Sequence, residues 1–472
     1  METTNQQAPG ESHATSQRLG RPVLTTVDAI AQSLAIGPVF SVAFLAVLIA
    51  GSAGSAAPLA TLIGAVGVFA VGWVITLYAR RYAGAGAIYD YLRRTTPALG
   101  LFAAGMYFIG TLFLGGAGIY LALGIFGNQT LQAYLGWNIP WWLLAGIAAL
   151  LIFVINHFGI RIATRVQLTL SVLSIIPLLV LAIAIIVQGG NSGNTLQAFN
   201  PSSVPTSGLF QGILFAITLF IGFEASASLG EETADPRRSI PRAVMGTVFI
   251  AAVFYLLMLY ASDIGFGLAN SGKWASDPTA LDTLATRYVG GWLAVLIDFA
   301  LLFDMLAVAS AFTATSSRGW FAMARHQLLP SFLARTSRYR TPLGGNLFVL
   351  AVALLLTLVT ALLKIDVLTA FGITAAIGSL LIEAIYIGLA LGAIRFLVEE
   401  PGKWWRWLFL LVAIVVPLLG LYGSVIPFPV WPLSLGVYCA LAGVILSAFW
   451  TLLMMLRYPQ RLGAASQAHA WE

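Results

Sequence analysis

The sequence predicts an all-α membrane protein with twelve transmembrane helices, arranged as two related blocks of five helices followed by two extra helices. Three observations carry this prediction. The 472-residue chain is 59% hydrophobic and only 9% charged, whereas soluble domains carry about 25% charged residues. Twelve segments are apolar over the roughly 20 residues that a bilayer crossing requires. The first and the sixth of these segments contain helix-breaking residues near mid-span.

The predicted spans follow the apolar runs of the chain, with polar or charged residues between them. They cover about 33–53, 57–79, 99–126, 140–160, 167–188, 209–230, 243–265, 291–315, 346–363, 368–397, 405–425 and 430–456. Together they form a single transmembrane domain at 28–457. Residues 1–27 and 458–472 are polar and are predicted as cytosolic tails, the first of them disordered.

The distribution of basic residues predicts the orientation of the chain. An even number of spans puts both termini on one side, and 21 of the 24 Lys and Arg residues fall on that side. Only Lys273, Arg287 and Lys364 fall on the other. The positive-inside rule therefore places both termini in the cytosol, with the protein in the cytoplasmic membrane. Topology thus explains the net charge of +6, so nucleic-acid binding is not expected. Membrane lipid is the expected surrounding.

The interrupted spans predict the position of a binding site. The first span contains Gly37-Pro38 and the sixth contains Gly222. Proline removes a backbone donor and clashes with the preceding turn. Paired interruptions at matching positions indicate an inverted repeat, about 28–190 and 205–397, with the site at the breaks. The free amides and carbonyls of broken helices suit the two poles of an amino acid. A proline kink without function is the alternative.

Four acidic residues inside predicted spans are candidates for function. Glu224 follows Gly222 at mid-depth, where a charged side chain costs about 2.5–3.5 kcal/mol on insertion scales. A proton-carrying role explains it, and so does a permanently protonated glutamate that links helices. Asp298, Asp304 and Glu383 are candidate pathway acids for a cationic group. An internal hydrogen bond between helices is an equal alternative for each of them. These acids make an anionic substrate unfavourable.

Charged residues follow the sixth and eighth spans at the predicted cytosolic side. Ion pairs among them are predicted to close an inner gate, and a solvated charged loop is the alternative. At the eighth-span exit, the two basic residues could pair only with the two glutamates of the sixth-span exit. The sixth-span set is Glu231, Glu232, Arg237, Arg238 and Arg242, and the eighth-span pair is Arg318 and Arg325.

Other chemistry is not predicted. The four histidines, His326 among them, show no metal-ligand spacing and are expected at the surface, as Asp263 is at a span end. No phosphate-binding loop is present in the sequence, so ATP and other cofactors are not expected. A membrane-embedded enzyme would need convergent catalytic groups, and none are assigned. A nontransporting sensor would carry a longer soluble appendage. The sequence favours a secondary transporter.

Three stretches resemble the amino acid–polyamine–organocation permeases. The sixth span and its exit, GFEASASLGEETADPRRSIPRAV, match that family's G-F-E core and the E-E-T motif after it. The segment Ala83–Arg94 resembles its G-G-x-Y-x-Y motif, and Ser316–Pro342 resembles its loop after helix eight. The resemblance implies a leucine-transporter-type fold and transport of amino acids or related amines, as proton symport or as exchange. It leaves open the substrate, direction and oligomeric state.

The resemblance also assigns roles by position. It implies that the substrate carboxylate meets the amides of Gly37, Val39, Phe40 and Ser41. It implies that the ammonium group meets the carbonyl of Ala35 or Ile36 and those of Thr218 and Ile221. Phe220 and Gly222 lie beside them, and Glu224 is implied to couple a proton. The first break departs from the family's G-S-G-I-F pattern, since it reads GPVFS.

Two further departures concern the lid and the coupling ion. A bulky aromatic often closes the family's site at the position of Thr218, and Phe215 or Phe220 is the candidate substitute here. Many members carry a lysine where this chain has Ser174. Because that lysine can occupy the place of a sodium ion, Ser174, Ser310 and Thr313 form a candidate sodium site.

Overall fold

The computed structural model describes Leu19 and residues 22–400 and 402–467. Most of the predicted tail at 1–27 therefore lies outside the described residues, as do Arg18, Arg21 and the last five residues of the predicted tail at 458–472. The first described helix begins at Thr26, slightly before the predicted domain boundary. The side chain of Thr25 caps it by accepting a hydrogen bond from the amide of Asp28.

The described residues form helices and short turns without a β-strand. We number the α-helices in chain order. They are α1 (Thr26–Leu34), α2 (Pro38–Ala53), α3 (Ala57–Ala79), α4 (Ile88–Leu92), α5 (Pro97–Thr111), α6 (Gly118–Leu135), α7 (Trp141–His157), α8 (Ile160–Gln188), α9 (Thr206–Thr218), α10 (Pro236–Phe266), α11 (Ser271–Ser276), α12 (Ala280–Tyr288), α13 (Gly291–Arg325), α14 (Leu343–Leu362), α15 (Val367–Glu399), α16 (Trp405–Val425), α17 (Ser434–Arg457) and α18 (Pro459–Gln467).

Eleven predicted spans coincide with one of these helices or with a helix pair, and the sixth, about 209–230, is α-helical only as far as Thr218. The pattern confirms an all-helical, multi-span membrane protein. Nine stretches of the described chain are long and apolar enough to cross a membrane, and the first of them, Thr26–Ala79, contains two predicted spans. Helices α7 and α9 are apolar but shorter. The count of twelve crossings remains a prediction.

The span that contains α5 and α6 lies at the centre of the bundle. Its most apolar window is 78% buried, against 28% for α17. A π-helical turn, Leu112–Ala117, joins the two helices, and turns of this kind are frequent at functional sites. Gly115 in this turn faces the ring of Phe312, because a Cβ on Gly115 would lie 2.2 Å from that ring. The absence of a side chain thus lets α13 approach closely.

Helix packing brings the interrupted spans to the middle of the bundle. Helix α3 packs on α10, α8 packs on α13, and α15 packs on α5 and α6. Helix α16 covers α9, and α17 covers α5 and α15. Helices α16 and α17 therefore lie around the outside, where apolar side chains of α17 such as Ile445 and Phe449 are more than half exposed. Exposed apolar side chains on these helices fit contact with lipid.

The first and last described segments lie at the same end of the bundle. The amide of Leu24 donates to the carbonyl of Glu232 at 2.9 Å, and Arg461 donates to the carbonyl of Gln327 at 3.3 Å. Arg318 and Arg325 also lie at this end, in the C-terminal part of α13. We call it the basic end. Its assignment to the cytosol remains a prediction from the distribution of charge.

Candidate functional site

The two breaks face each other inside the bundle. Gly37 has φ of 79° and Gly222 has φ of 110°, conformations that residues with a Cβ rarely adopt. A Cβ on Gly222 would lie 3.3 Å from the side chain of Ile36 and 3.2 Å from the ring of Phe312. The amide of Ser226 donates to the hydroxyl of Ser33 at 3.1 Å, which joins the breaks a second time.

At the first break, a carboxylate from another helix occupies the free amides. Helix α1 ends at Leu34 and α2 begins at Pro38, so the first turn of α2 has unpaired backbone donors. The amides of Val39 and Phe40 both donate to Oδ2 of Asp304, at 2.9 and 2.8 Å. The amide of Ser41 donates to the carbonyl of Gly37. Three of the four amides assigned to a substrate carboxylate are thus engaged within the protein.

Asp304 is held firmly in this position. It projects from α13, is fully buried, and accepts a further hydrogen bond on Oδ1 from the hydroxyl of Ser174 at 3.1 Å. A negative charge at a helix N-terminus interacts favourably with the aligned peptide dipoles of α2. The sequence identified Asp304 as a candidate pathway acid, but only the fold shows which amides it meets.

The second break is longer than a single residue. Helix α9 ends at Thr218 and the chain becomes α-helical again only at Pro236, with a 3₁₀ segment at Ala225–Leu229 between them. The predicted ammonium-binding carbonyl of Thr218 accepts a bond from the amide of Ile221 at 3.2 Å. Phe220, a candidate lid, is buried and packs edge-on against Tyr255, with ring centroids 4.9 Å apart.

Glu224 connects the second break to two other spans. Its side chain is fully buried and accepts hydrogen bonds from the hydroxyls of Tyr107 and Tyr386, each at 3.0 Å. The amide of Gly222 donates to it at 3.2 Å. Tyr107 lies on α5 and Tyr386 on α15, and neither was predicted from the sequence as a site residue. Each is a tyrosine within an apolar span, and a single sequence does not distinguish such a tyrosine from one that only packs against other helices.

A small cavity lies between the breaks. Its volume is about 10 Å³, roughly what one water molecule requires. An amino acid is far larger, so it fits only if the surrounding helices move. The walls come from both breaks and from α5 and α13. They are Ala35, Tyr107, Thr111, Gly222, Ala225, Ala311, Phe312 and Thr315.

The other candidate acids lie in different surroundings. Glu383 on α15 is fully buried, with Oε1 3.4 Å from the hydroxyl of Thr218 and Oε2 without a hydrogen-bond partner among the described residues. Asp298 is partly exposed and accepts a bond from Tyr134 at 2.6 Å. Asp263 was expected to be exposed, and this expectation was wrong: the helices around α10 bury it completely. Asp304 and Glu383 thus lie at the breaks, while Asp298 does not.

The residues of the candidate sodium site have separate partners. Ser174 donates to Asp304 at 3.1 Å. The hydroxyl of Ser310 accepts from Gln167 at 3.0 Å, and Thr313 bonds to Tyr120 at 3.1 Å. No group of three or more His, Cys, Asp or Glu side chains with metal-binding geometry is found in the described part of the chain. A sodium role for these hydroxyls remains a hypothesis.

Two ion pairs join the exit of the sixth span to α13 at the basic end. Arg318 contacts both oxygens of Glu232, at 2.7 and 3.2 Å, and both side chains are at most 3% exposed. Arg325 likewise contacts both oxygens of Glu231. These are the partners that the sequence allowed for the two arginines. We call the two pairs the basic-end gate. Of the following arginines, Arg238 forms an exposed ion pair with Asp235, at 3.8 Å.

The segment Ala83–Arg94 adds a second charged cluster beside this gate. Arg93 pairs with Asp90 at 2.8 Å in a buried position. Burial opposes ionisation of Asp90, but the neighbouring charges, the Arg93 guanidinium first among them, together outweigh burial and hold the pKa of that carboxyl below its ordinary value. His326 bonds to Tyr89 at 2.8 Å, and burial lowers the pKa of this histidine to about 4. The expectation that His326 is an ordinary surface residue was therefore wrong.

Comparison with known proteins gives a family match and several relatives. Residues 24–453 match the amino acid permease family. The branched-chain amino acid permease BcaP of Bacillus subtilis (strain 168) is 25% identical over 50% of this chain and 49% of its own length. The low-affinity putrescine importer PlaP of Escherichia coli (strain K12) is 28% identical over 62% of this chain and 66% of its own.

A third relative has another named substrate. The glutamate/serine transporter AimA of Bacillus subtilis (strain 168) is 27% identical over 40% of this chain and 36% of its own length. The alignments thus span between about a third and two thirds of these three relatives. The names of the three refer to a branched-chain amino acid, a diamine, and glutamate or serine.

Proposed function

This chain belongs to the amino acid permease family, within the amino acid–polyamine–organocation superfamily, and from that premise we propose that it carries an amino acid or related amine across the membrane together with a proton. The observation that carries the proposal is the meeting of two broken spans around a small closed cavity. Sites at paired breaks are typical of secondary transporters.

The closed site supports transport by alternating access. Ala35, Gly222 and Phe312 line a cavity with room for about one water molecule, and the basic-end gate joins the sixth-span exit to α13. Entry or exit at the basic end would separate these ion pairs. Helix α8, the fifth span of the first predicted block, packs on α13, the third span of the second block. In the same way α5, in the third span of the first block, packs on α15, the fifth span of the second. This reciprocal packing supports the proposed inverted repeat.

Glu224 is the proposed proton carrier. Its carboxyl bonds to two tyrosine hydroxyls and one amide, and none of the ion pairs among the described residues includes it. A buried carboxyl without a cationic partner can change its protonation state without breaking a salt bridge. Coupling then requires only that protonation and substrate binding favour each other, which linkage makes reciprocal.

The proposal is tested by uptake into proteoliposomes that contain the purified full chain. The substrate panel covers neutral, acidic and cationic amino acids and diamines, each with an imposed proton gradient, a sodium gradient or neither. We expect uptake of at least one of these compounds to rise with an inward proton gradient. Uptake that depends only on substrate inside the vesicles would indicate exchange. Uptake that depends on the sodium gradient would show that sodium, and not the proton, is the coupling ion. Absence of both flux and binding would contradict transport.

The role of Glu224 is tested with Glu224→Gln, which mimics the protonated form. We expect this variant to bind substrate but to lose the response of uptake to a pH gradient. Glu399→Gln, at an exposed position near the end of α15, is the matched control and should respond as the wild type does. Unchanged pH-driven uptake by Glu224→Gln would leave that residue as a link between helices only.

A further inference from the structure

At the first break, the carboxyl group of Asp304 already bonds to free backbone amides. The amides of Val39 and Phe40 at the start of α2 are the donors that the family resemblance assigns to a substrate carboxylate. Both donate to a single oxygen of Asp304, at 2.9 and 2.8 Å. The hydroxyl of Ser174 holds the other oxygen. The protein therefore supplies from α13 the group that an α-amino acid would bring.

A substrate carboxylate has little access to these amides. A Cβ on Gly37 would lie 3.3 Å from Oδ2 of Asp304 and 2.2 Å from Val308, so the space beside the break is filled. A second carboxylate here would meet a like charge in a buried setting, where Coulomb repulsion is much stronger than in water. Pro38, between Gly37 and Val39, offers no amide.

The rest of the site is rich in carboxyl groups. Glu383 lies beside Thr218 at the second break and has one oxygen without a partner among the described residues. Glu224 lies two residues after Gly222. None of the three buried acids at the breaks belongs to an ion pair found in the described chain. A buried carboxyl outside any ion pair is available to a cationic group, so these acids favour a substrate that carries an ammonium group.

We propose that the substrate is an amine without a free carboxylate, and that Asp304 occupies the place of the missing carboxylate at the start of α2. This inference rests on the proposed transport function and narrows its substrate class. Alkyl monoamines, diamines and carboxyl-blocked amino acids fit the class, whereas free α-amino acids do not. The ammonium group of the substrate then lies near Asp304 and Glu383, which belong to no ion pair among the described residues.

The test compares each amino acid with the amine that lacks its carboxylate. The pairs are ornithine with putrescine, lysine with cadaverine, and leucine with leucinamide. Uptake and competition binding are measured on the wild-type protein in proteoliposomes. We expect the carboxylate-free member of at least one pair to have a kcat/KM higher by about tenfold or more, since a buried unpaired group discriminates strongly. Equal or better transport of the amino acids would overturn the inference while leaving the transport function intact.

Variants of Asp304 distinguish its proposed role in substrate preference from a general loss of folding or transport. Asp304→Asn keeps an acceptor for the two amides but removes the charge, and Asp304→Ala vacates the amides. We expect both to lower the preference for the amine by about tenfold or more, with Asp304→Ala improving binding of the free amino acid. Glu399→Gln, at an exposed position near the end of α15, is the control. An unchanged preference in Asp304→Asn would overturn the assignment, and failure of every pair to bind wild-type protein would instead contradict transport.

Discussion

Buried acids occur in two regions of this protein, the basic-end gate and the breaks, and the groups that they contact differ between the two. At the basic-end gate, Glu232 is paired with Arg318 through both oxygens, and both side chains are buried. At the breaks, Glu224 and Asp304 are equally buried but meet hydroxyls and amides only. A charge that is neutralised inside the protein serves to hold helices together. An acid left without a cation is available to a proton or to a cationic substrate.

The largest expected effect is a loss of stability when the buried ion pair of the basic-end gate is broken. Glu232→Gln leaves Arg318 buried without a counter-charge, and breaking a buried pair in this way costs about 3–5 kcal/mol. We expect a large loss of thermal stability of the purified protein in detergent. Glu224→Gln leaves no cation unpaired, so its loss of stability should stay within about 1.5 kcal/mol.

Controls for this prediction come from the exposed part of the same segment. Arg238→Ala removes a solvent-exposed ion pair with Asp235 and should change stability by no more than about 1 kcal/mol. The comparison fails if Glu232→Gln and Arg238→Ala melt at the same temperature. It also fails if Glu224→Gln destabilises the protein as much as Glu232→Gln does.

A smaller effect is expected at the breaks. Gly222→Ala must adopt φ near 110° and meets Phe312 and Ile36 at 3.2 and 3.3 Å, so backbone strain of about 1–3 kcal/mol is expected. We expect uptake to be lost because the cavity wall shifts. Gly136→Ala, where φ is 70° with no heavy atom within 4 Å of the added Cβ, is the control and should transport normally. Normal uptake by Gly222→Ala would show that the second break tolerates rearrangement.

The smallest expected effect concerns acid sensitivity at the basic end. Burial lowers the pKa of His326 from 6.5 to about 4, so between these values the unfolded chain binds more protons than the folded one. The contribution to stability is therefore present above pH 6.5 and is lost as the pH falls towards 4. We expect the melting temperature of His326→Gln to fall less between pH 7 and pH 5 than that of the wild type. An identical fall would exclude His326 as a source of acid sensitivity.

Much of this molecule follows from local signals in the sequence. Apolar runs of sufficient length must form helices in a membrane, because only a helix satisfies its own backbone in lipid. The rule predicted the apolar spans of the described structure as helices or helix pairs, except for the part of the sixth span after Thr218, which is not α-helical. The breaks at Gly37-Pro38 and Gly222 were also predictable, since proline and glycine act on their own backbone.

The partners of the buried acids could be predicted only in part. Arg318 and Arg325 were expected to pair with the two glutamates, because the other charged residues named at these two exits are basic. The sequence did not predict that Asp304 would bond to Val39 and Phe40, which lie more than 260 residues away in the chain. Nor did it predict the two tyrosines on Glu224, or Phe312 beside Gly222.

The sequence by itself determined where most of the helices lie, where two of the spans break and that Glu224, Asp304 and Glu383 fall within apolar spans. Tertiary structure alone decided which groups those acids meet, because rotation and depth of each helix are set by packing against its neighbours. That distinction matters most at the first break. A free helix N-terminus predicted from the sequence would receive a carboxylate from the substrate, whereas in the folded protein Asp304 already occupies that position.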